Sequence, residues 1–254
     1  MVDGVVSIIM PSWNTGRFIA ESIQSVINQT YPNWELLIVD DCSTDNTDEV
    51  VAGFADKRIR YFKNEKNSGA AVTRNRAMRE AKGEWIAFLD SDDLWTPEKL
   101  EKQLAFMNKH GYVFSYHDYV KIDEESQPLN IYVTGPEIVT KSGMYNYGYP
   151  GCLTFMYSAK AMGLIQIKDI KKNNDYAILL KLCKIADCYL LKENLAQYRI
   201  RKKSISHDKL TKKLKSHYDL FHFCDEQSAP MAVWYACWNM WYGLMKKRMY
   251  EKRM

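Results

Sequence analysis

The chain has 254 residues, 46% of them hydrophobic, enough for one large core or two small ones, so one catalytic-size domain with an appendage is expected. Neither the composition nor any repeat period fits a disordered chain or a solenoid. The net charge of +4 resides in the last nine residues, "KKRMYEKRM", and the rest of the chain is neutral.

The first hundred residues alternate between two periods. The apolar runs 5–10, 34–39, 59–62 and 85–89 predict buried strands, and 17–29, 46–55 and 70–82 have helical spacing. That rhythm predicts an α/β fold with a mainly parallel central sheet flanked by helices, whose ligands bind beyond the carboxyl ends of the strands. Those ends run into "PSWN" (11–14), "DDCSTDNT" (40–47) and "DSDD" (90–93), so polar and acidic residues converge on one edge. Thr96 and Pro97 read as the cap and first turn of the next helix. Residues 126–151, rich in Gly, Pro and Tyr and poor in periodicity, read as a mobile loop beside the site. A strand near 152–157, a helix over 174–186 and a strand through "CYLLKENLAQYRI" follow. From about His207 the pattern becomes purely helical, which divides the chain into 1–206 (halves 1–110 and 111–206) and an aromatic, basic appendage, 207–254.

Three carboxylates in "FLDSDDLW" (88–95) call for a counter-charge. A hard divalent cation takes one or two carboxylates and fills its remaining positions with phosphate oxygens and water, and a D-x-D after a buried strand suits that chemistry. Such a metal would make a diphosphate a leaving group. No Gly-rich phosphate loop is present, which disfavours a kinase, an ATPase or a dehydrogenase. Asp93 reads equally as a capping or solvated acid, and "DDCSTDNT" taken alone reads as an Asx turn and helix cap. The six cysteines have no C-x-x-C pair and read as core thiols of a reducing compartment. The amino terminus has too short an apolar run for a signal peptide, so a cytoplasmic location is expected.

The motifs "SIIMPSWNTGRFIAESIQSVINQTYPNWELLIVDDCSTDNTDEV" and "NSGAAVTRNRAMREAKGEWIAFLDSDDLWTPEKL" together resemble glycosyltransferase family 2. "CLTFMYSAKAMG", "DIKKNNDYAILLKL" and "LAQYRIRKKSIS" extend the resemblance, over about 5–206, to bacterial members that build capsule, O-antigen and other surface polysaccharides. It implies the GT-A fold, a nucleotide-sugar donor, a glycan or lipid-linked acceptor, Mn²⁺ or Mg²⁺, and inversion at the anomeric carbon. It implies that Pro11 borders the nucleobase and that Asp41, with Asp40 beside it, accepts from the base. Arg74 would contact nucleotide or phosphate, Asp90 ribose or donor sugar, and Asp92 the metal. Arg199 would lie on a loop that closes over the diphosphate, and Asp175 would be the general base. Here the chain departs from the family pattern, because the residue before Asp175 is Asn174 and not Glu.

The segment 229–245 holds five aromatics, and Trp234, Trp238, Trp241, Tyr242 and Met245 recur at helical spacing. It reads either as a helix packed on the catalytic domain or on a second copy, or as an interfacial helix at anionic lipid, and it is too short and polar for a membrane span. The basic runs 199–215 and 246–254 lack interleaved aromatics and read as solvated faces, not as a nucleic-acid surface. Two alternatives to glycan synthesis stay open: a synthase loading sugar onto a polyprenyl phosphate, and a non-catalytic nucleotide-sugar-binding member.

Overall fold

The computed structural model describes residues 1–201 and 210–253. Its first half is strand β1 (Val2–Ser12), helix α1 (Ile19–Ile27), β2 (Trp34–Asp40), α2 (Thr47–Ala52), β3 (Ile59–Lys63), α3 (Ala70–Glu80), β4 (Gly83–Phe88), the short β5 (Leu94–Trp95) and α4 (Lys99–His110). Four of these strands form a parallel block in the order β3-β2-β1-β4. Ser12 lies opposite Asp40 and Ile9 opposite Phe88, so the chain segments leaving β1, β2 and β4 emerge together on one edge.

Both faces of this block are buried, as a parallel sheet requires. Alternation along the strands sends Ile9, Leu37, Val39, Ile86 and Phe88 to one face, and Ile8, Met10, Leu36, Ile38 and Leu89 to the other. The second face is covered by α1 through Ile19, Ile23 and Val26 and by α4 through Leu100, Leu104 and Met107, each set one helical stripe. The expected cap at Thr96 is not formed. Helix α4 begins at Lys99, and Gln29, just past the end of α1, caps it, its Oε1 accepting from Leu100 N (3.0 Å) while its Nε2 donates to Thr96 O (2.7 Å). A tertiary contact replaces the local one.

The second half continues with β6 (Phe114–Ile122), β7 (Pro128–Val133), β8 (Ile138–Val139), α5 (Lys141–Asn146), β9 (Met156–Ser158), α6 (Ala159–Met162), α7 (Asn174–Cys183) and β10 (Cys188–Arg199). Residues 126–151 are therefore structured and not the expected loop. β7 pairs antiparallel with β6, α5 starts with Thr140 Oγ1 accepting from Gly143 N, and Pro128 opens its strand, where a missing N–H is tolerated. β9 lies antiparallel between β4 and β6, and β10 runs parallel to β6.

After Leu210 come α8 (Leu210–Asp219), a π-helical turn (Leu220–Cys224), α9 (Ala229–Tyr250) and β11 (Glu251–Arg253). These elements are packed on the rest of the chain. Leu220, Phe221, Cys224, Ala232 and Ala236 belong to the same core as α3, α7 and the first sheet face. Asn239 donates to Asn146 O (3.0 Å), β11 pairs with β7, and Lys246, buried over the Tyr147 ring, has its pKa lowered to about 8 by desolvation. The carboxyl-terminal basic run is thus partly committed to the fold. Trp234, Trp238 and Trp241 nevertheless stay exposed, at 61%, 37% and 51%. Among the described residues no helix is long and apolar enough to cross a membrane.

Candidate active site

A cavity of about 460 Å³ opens at the carboxyl edge of the parallel block. It is lined by Pro11–Thr15 at the end of β1 and just beyond it, Asp41 after β2, Asn67, Gly69 and Ala70 around the start of α3, Thr73 and Arg74 on α3, Asp90–Asp92 after β4, and by Lys171 and Arg201. Five sequence-predicted residues, Pro11, Asp41, Arg74, Asp90 and Asp92, therefore share one cavity wall.

At one part of this wall Asp41 is held by four donors. Oδ1 accepts from Asn64 Nδ2 and Ser68 N (both 2.8 Å), and Oδ2 accepts from Gly69 N (2.7 Å) and, at 3.2 Å, from the Asn67 amide. Gly69 has φ +86°, a left-handed conformation that a side chain would strain, and this turns its N–H toward the carboxylate. The Asn67 carbonyl accepts from Trp13 Nε1 (2.9 Å), which orients an indole that is 51% exposed at the cavity. The sequence does not single out Asn67, and Trp13 enters it only within "PSWN" (11–14). The signal for Trp13 was an aromatic directly after a buried strand.

Asp90, Asp92 and Asp93 have three different environments. Asp90 pairs with Arg74, whose guanidinium also donates to Asn174 Oδ1 and to Cys152 Sγ (3.5 Å). Asp92 pairs with Arg201 (3.0 Å); its pKa is raised by desolvation and by the Asp90 charge, against the pull of Arg201. Asp93 is buried, accepts from Arg199 N (2.8 Å) through Oδ1 and has no partner at Oδ2. Desolvation and its two acidic neighbours push its pKa well above the usual value. It caps no helix, since α4 starts six residues later.

Two expected site residues lie elsewhere. Asp40 is fully buried and accepts from Ser43 N (2.8 Å) and Ser43 Oγ, the Asx turn that its sequence suggested, so it does not line the cavity. Arg199 is also buried. It donates to Asp92 O (2.7 Å), Asp123 O and Glu124 O (3.2 Å each), Ser126 Oγ and Glu21 Oε2 (2.8 Å each). Its hydrogen bonds clamp the Asp92 turn to the 123–126 turn, and Arg201, two residues on, lines the cavity together with Arg74. Arg199→Ala should lower stability by about 3–5 kcal/mol, the usual loss when a buried charge network is broken, and a thermal melt against wild type measures it.

Asp175 sits in the first turn of α7, after the left-handed Asn173 (φ 58°). It does not line the cavity directly but lies within electrostatic reach of Arg74 and Asp90. Desolvation raises its pKa, Arg74 lowers it, Asp90 raises it, and the net direction is upward. Asn174 in place of the family's Glu gives Arg74 a neutral acceptor, which leaves Asp90 as its ion-pair partner.

Among the described residues no three His, Cys, Asp or Glu side chains converge as a protein-only metal cage. The pair Asp90 and Asp92 suits a hard divalent cation all the same, because such ions are commonly held by one or two carboxylates with phosphate oxygens and water. Each of the two acids is paired here with an arginine, Asp90 with Arg74 and Asp92 with Arg201.

Residues 7–162 match the family described as glycosyl transferase family 2. A protein of Bacillus subtilis (strain 168) named for teichuronic acid biosynthesis, TuaG, is 41% identical over 81% of this chain and 82% of its own. The Escherichia coli UDP-Glc:alpha-D-GlcNAc-diphosphoundecaprenol beta-1,3-glucosyltransferase WfgD is 39% identical over 87% of this chain and 86% of its own. Among solved structures, S. aureus TarS in complex with UDP-GlcNAc superposes with a TM-score of 0.72 at 21% identity, covering 94% of this chain and 72% of that one, a likeness of fold. With the family pattern spanning more than half of its length on a GT-A fold, the chain belongs to glycosyltransferase family 2, of the bacterial surface-polysaccharide type, and is a glycosyltransferase.

Proposed function

We propose that the enzyme transfers a hexose from a UDP-sugar to a hydroxyl of a lipid-linked sugar, with inversion at the anomeric carbon. The observation that carries this reading is the union, around one cavity, of a carboxylate fixed by backbone and amide donors (Asp41), two acids suited to a divalent metal (Asp90, Asp92) and two arginines (Arg74, Arg201), with an acid of raised pKa within electrostatic reach (Asp175). The similarity to an enzyme named for UDP-glucose and a diphosphoundecaprenol-linked acceptor supports both substrate classes.

Each residue then has a physical task. Trp13 offers a flat apolar face to the base, and Asp41 accepts from its ring N–H, displacing Asn67, the most distant of its four donors. Arg74 and Arg201 stabilise the charge that develops on the departing diphosphate. Mn²⁺ or Mg²⁺, held by Asp92 with Asp90 nearby, would neutralise charge on that diphosphate. Asp175 takes the proton of the acceptor hydroxyl as it attacks the anomeric carbon, and its raised pKa makes it a stronger base than an ordinary aspartate. Base and leaving group on opposite faces of the sugar give a single displacement, hence inversion.

The nucleotide assignment is testable by calorimetry. Uracil presents a ring N–H where cytosine presents an acceptor, so UDP should bind more tightly than CDP by about 1–3 kcal/mol, the cost of leaving a buried acceptor unsatisfied. Tighter binding of GDP would reassign the donor.

The lipid-linked acceptor calls for work at the cytoplasmic membrane surface, and the exposed aromatics of α9 with Lys247, Arg248, Lys252 and Arg253 suit anionic lipid. Replacing Trp234, Trp238 and Trp241 together with serine should abolish co-sedimentation with phosphatidylglycerol vesicles, and high salt should release the wild type. Removing the helix is a poor test, because Ala232, Ala236 and Asn239 are buried in the fold. Wild-type protein that stays in the supernatant at low salt would refute peripheral attachment.

A further inference from the structure

A second cavity, of about 480 Å³, adjoins the donor site through a shared wall residue, Lys171. Lys172 from the same turn and Lys212 and Lys215 from α8 also line it, with Asp169 and Asp219 as the acids. Lys215 is paired with Asp219 (2.7 Å). Among the described residues, lysines outnumber carboxylates in this lining. Phe223, 52% exposed, contributes an apolar edge. It projects from the π-helical turn that follows α8, an irregularity often found at functional sites.

The position of Lys171 and Lys172 decides what this charge is for. The turn that bears them passes through the left-handed Asn173 directly into Asn174, which accepts from Arg74, and Asp175, the proposed base. One short segment therefore carries both the proposed base and two lysines of the second cavity, of which Lys171 lines both cavities. An acceptor sugar at Asp175 would have Lys171 and Lys172 on the adjoining turn. We infer that the cavity of Lys171, Lys172, Lys212 and Lys215 binds the diphosphate that joins the acceptor sugar to its lipid, with Phe223 against the first carbons of the chain. The inference rests on the lipid-linked acceptor proposed above. It adds where the acceptor's diphosphate lies, and that this diphosphate is distinct from the donor's.

The test uses the full-length protein with Mn²⁺ and saturating UDP, so that the donor cavity is filled, and farnesyl diphosphate as the probe in a calorimetric titration. Farnesyl diphosphate should bind under these conditions, inorganic pyrophosphate should compete with it, and farnesyl monophosphate should bind at least tenfold more weakly. The double substitution Lys212→Gln/Lys215→Gln, on an exposed helix face, should weaken farnesyl diphosphate at least tenfold and leave UDP affinity within twofold of wild type. Phosphatidylglycerol vesicles should bind both proteins equally, because membrane attachment resides on α9. Equal farnesyl diphosphate affinity in the double variant, or binding seen only when UDP is omitted, would overturn the inference. Loss of discrimination between the variants on the diphosphate, but gain of it on the vesicles, would also overturn it and make the lysines a lipid-headgroup surface. Failure of wild type to bind UDP at all would instead strike the donor assignment, so the two failures read differently.

Discussion

Asp175→Asn should cut the rate of sugar transfer by about two to four orders of magnitude, the usual range for loss of a general base, while UDP affinity stays nearly unchanged. The asymmetry follows from position. Asp175 lies beside Arg74 and Asp90 at the head of α7 and does not line the nucleotide cavity, so its charge matters when the acceptor proton leaves and little before. A pH profile gives an independent reading. The pKa of Asp175 is raised, chiefly by desolvation, so the base becomes protonated and inactive as pH falls through a value above the usual 3.8. The acid limb of kcat/KM should accordingly lie above that of an ordinary aspartate and be absent from the residual activity of the asparagine variant. For folding the sign is opposite: a raised folded-state pKa means that this group's stabilisation is present at low pH and is lost as pH rises through that value. If Asp175→Asn keeps most of its transfer rate, the residue is an ordinary helix-start acid.

Asp92→Ala should abolish turnover together with Mn²⁺-dependent nucleotide binding, whereas Arg201→Ala should separate the two. Arg201 pairs with Asp92 at 3.0 Å. Its removal takes away a cation that competes for the carboxylate and one that stabilises the leaving diphosphate. The expected result is a rate reduced by about 10²–10³-fold, the range for losing one preorganised charge-stabilising donor, with Mn²⁺ affinity equal to wild type or tighter. Titration of Mn²⁺ by its paramagnetic resonance signal, in the presence of UDP, reads the second quantity without relying on turnover. Full activity of Asp92→Ala, or of the wild type in chelator, would remove Asp92 from the metal assignment.

Much of this site was legible in the sequence because strand order fixes where strand ends go. Once 5–10, 34–39 and 85–89 are parallel neighbours, Pro11, Asp41, Asp90 and Asp92 must meet, and they do. What the sequence left open is which member of a close pair faces the ligand. Asp40 and Asp41 are adjacent, yet the backbone after β2 turns one into a buried Asx turn and the other to the cavity. Arg199 and Arg201 differ in the same way, one consumed by the carbonyls of the 123–126 turn and the other free to meet Asp92. Residues 126–151 look like loop in the sequence because β7 and α5 are short and partly exposed, and their pairing partner β6 and cap Thr140 count for more than local periodicity. The aromatic helix is the mixed case. Its tryptophans remain outside as their spacing allowed, while Ala232, Ala236 and Asn239 between them anchor it to a core that no local pattern announces.

The most direct measurement is nucleotide release from a panel of UDP-hexoses, GDP-mannose and CDP-linked sugars, with Mn²⁺ or with chelator, for wild type and Asp175→Asn. A metal-dependent transferase of the kind proposed here releases UDP from one or more UDP-hexoses, faster when a lipid-linked sugar acceptor is supplied, and loses that acceleration in the asparagine variant and all release in chelator. Release that is indifferent to chelator and to Asp175→Asn, or no release from any UDP-hexose by protein that binds UDP, would contradict the account.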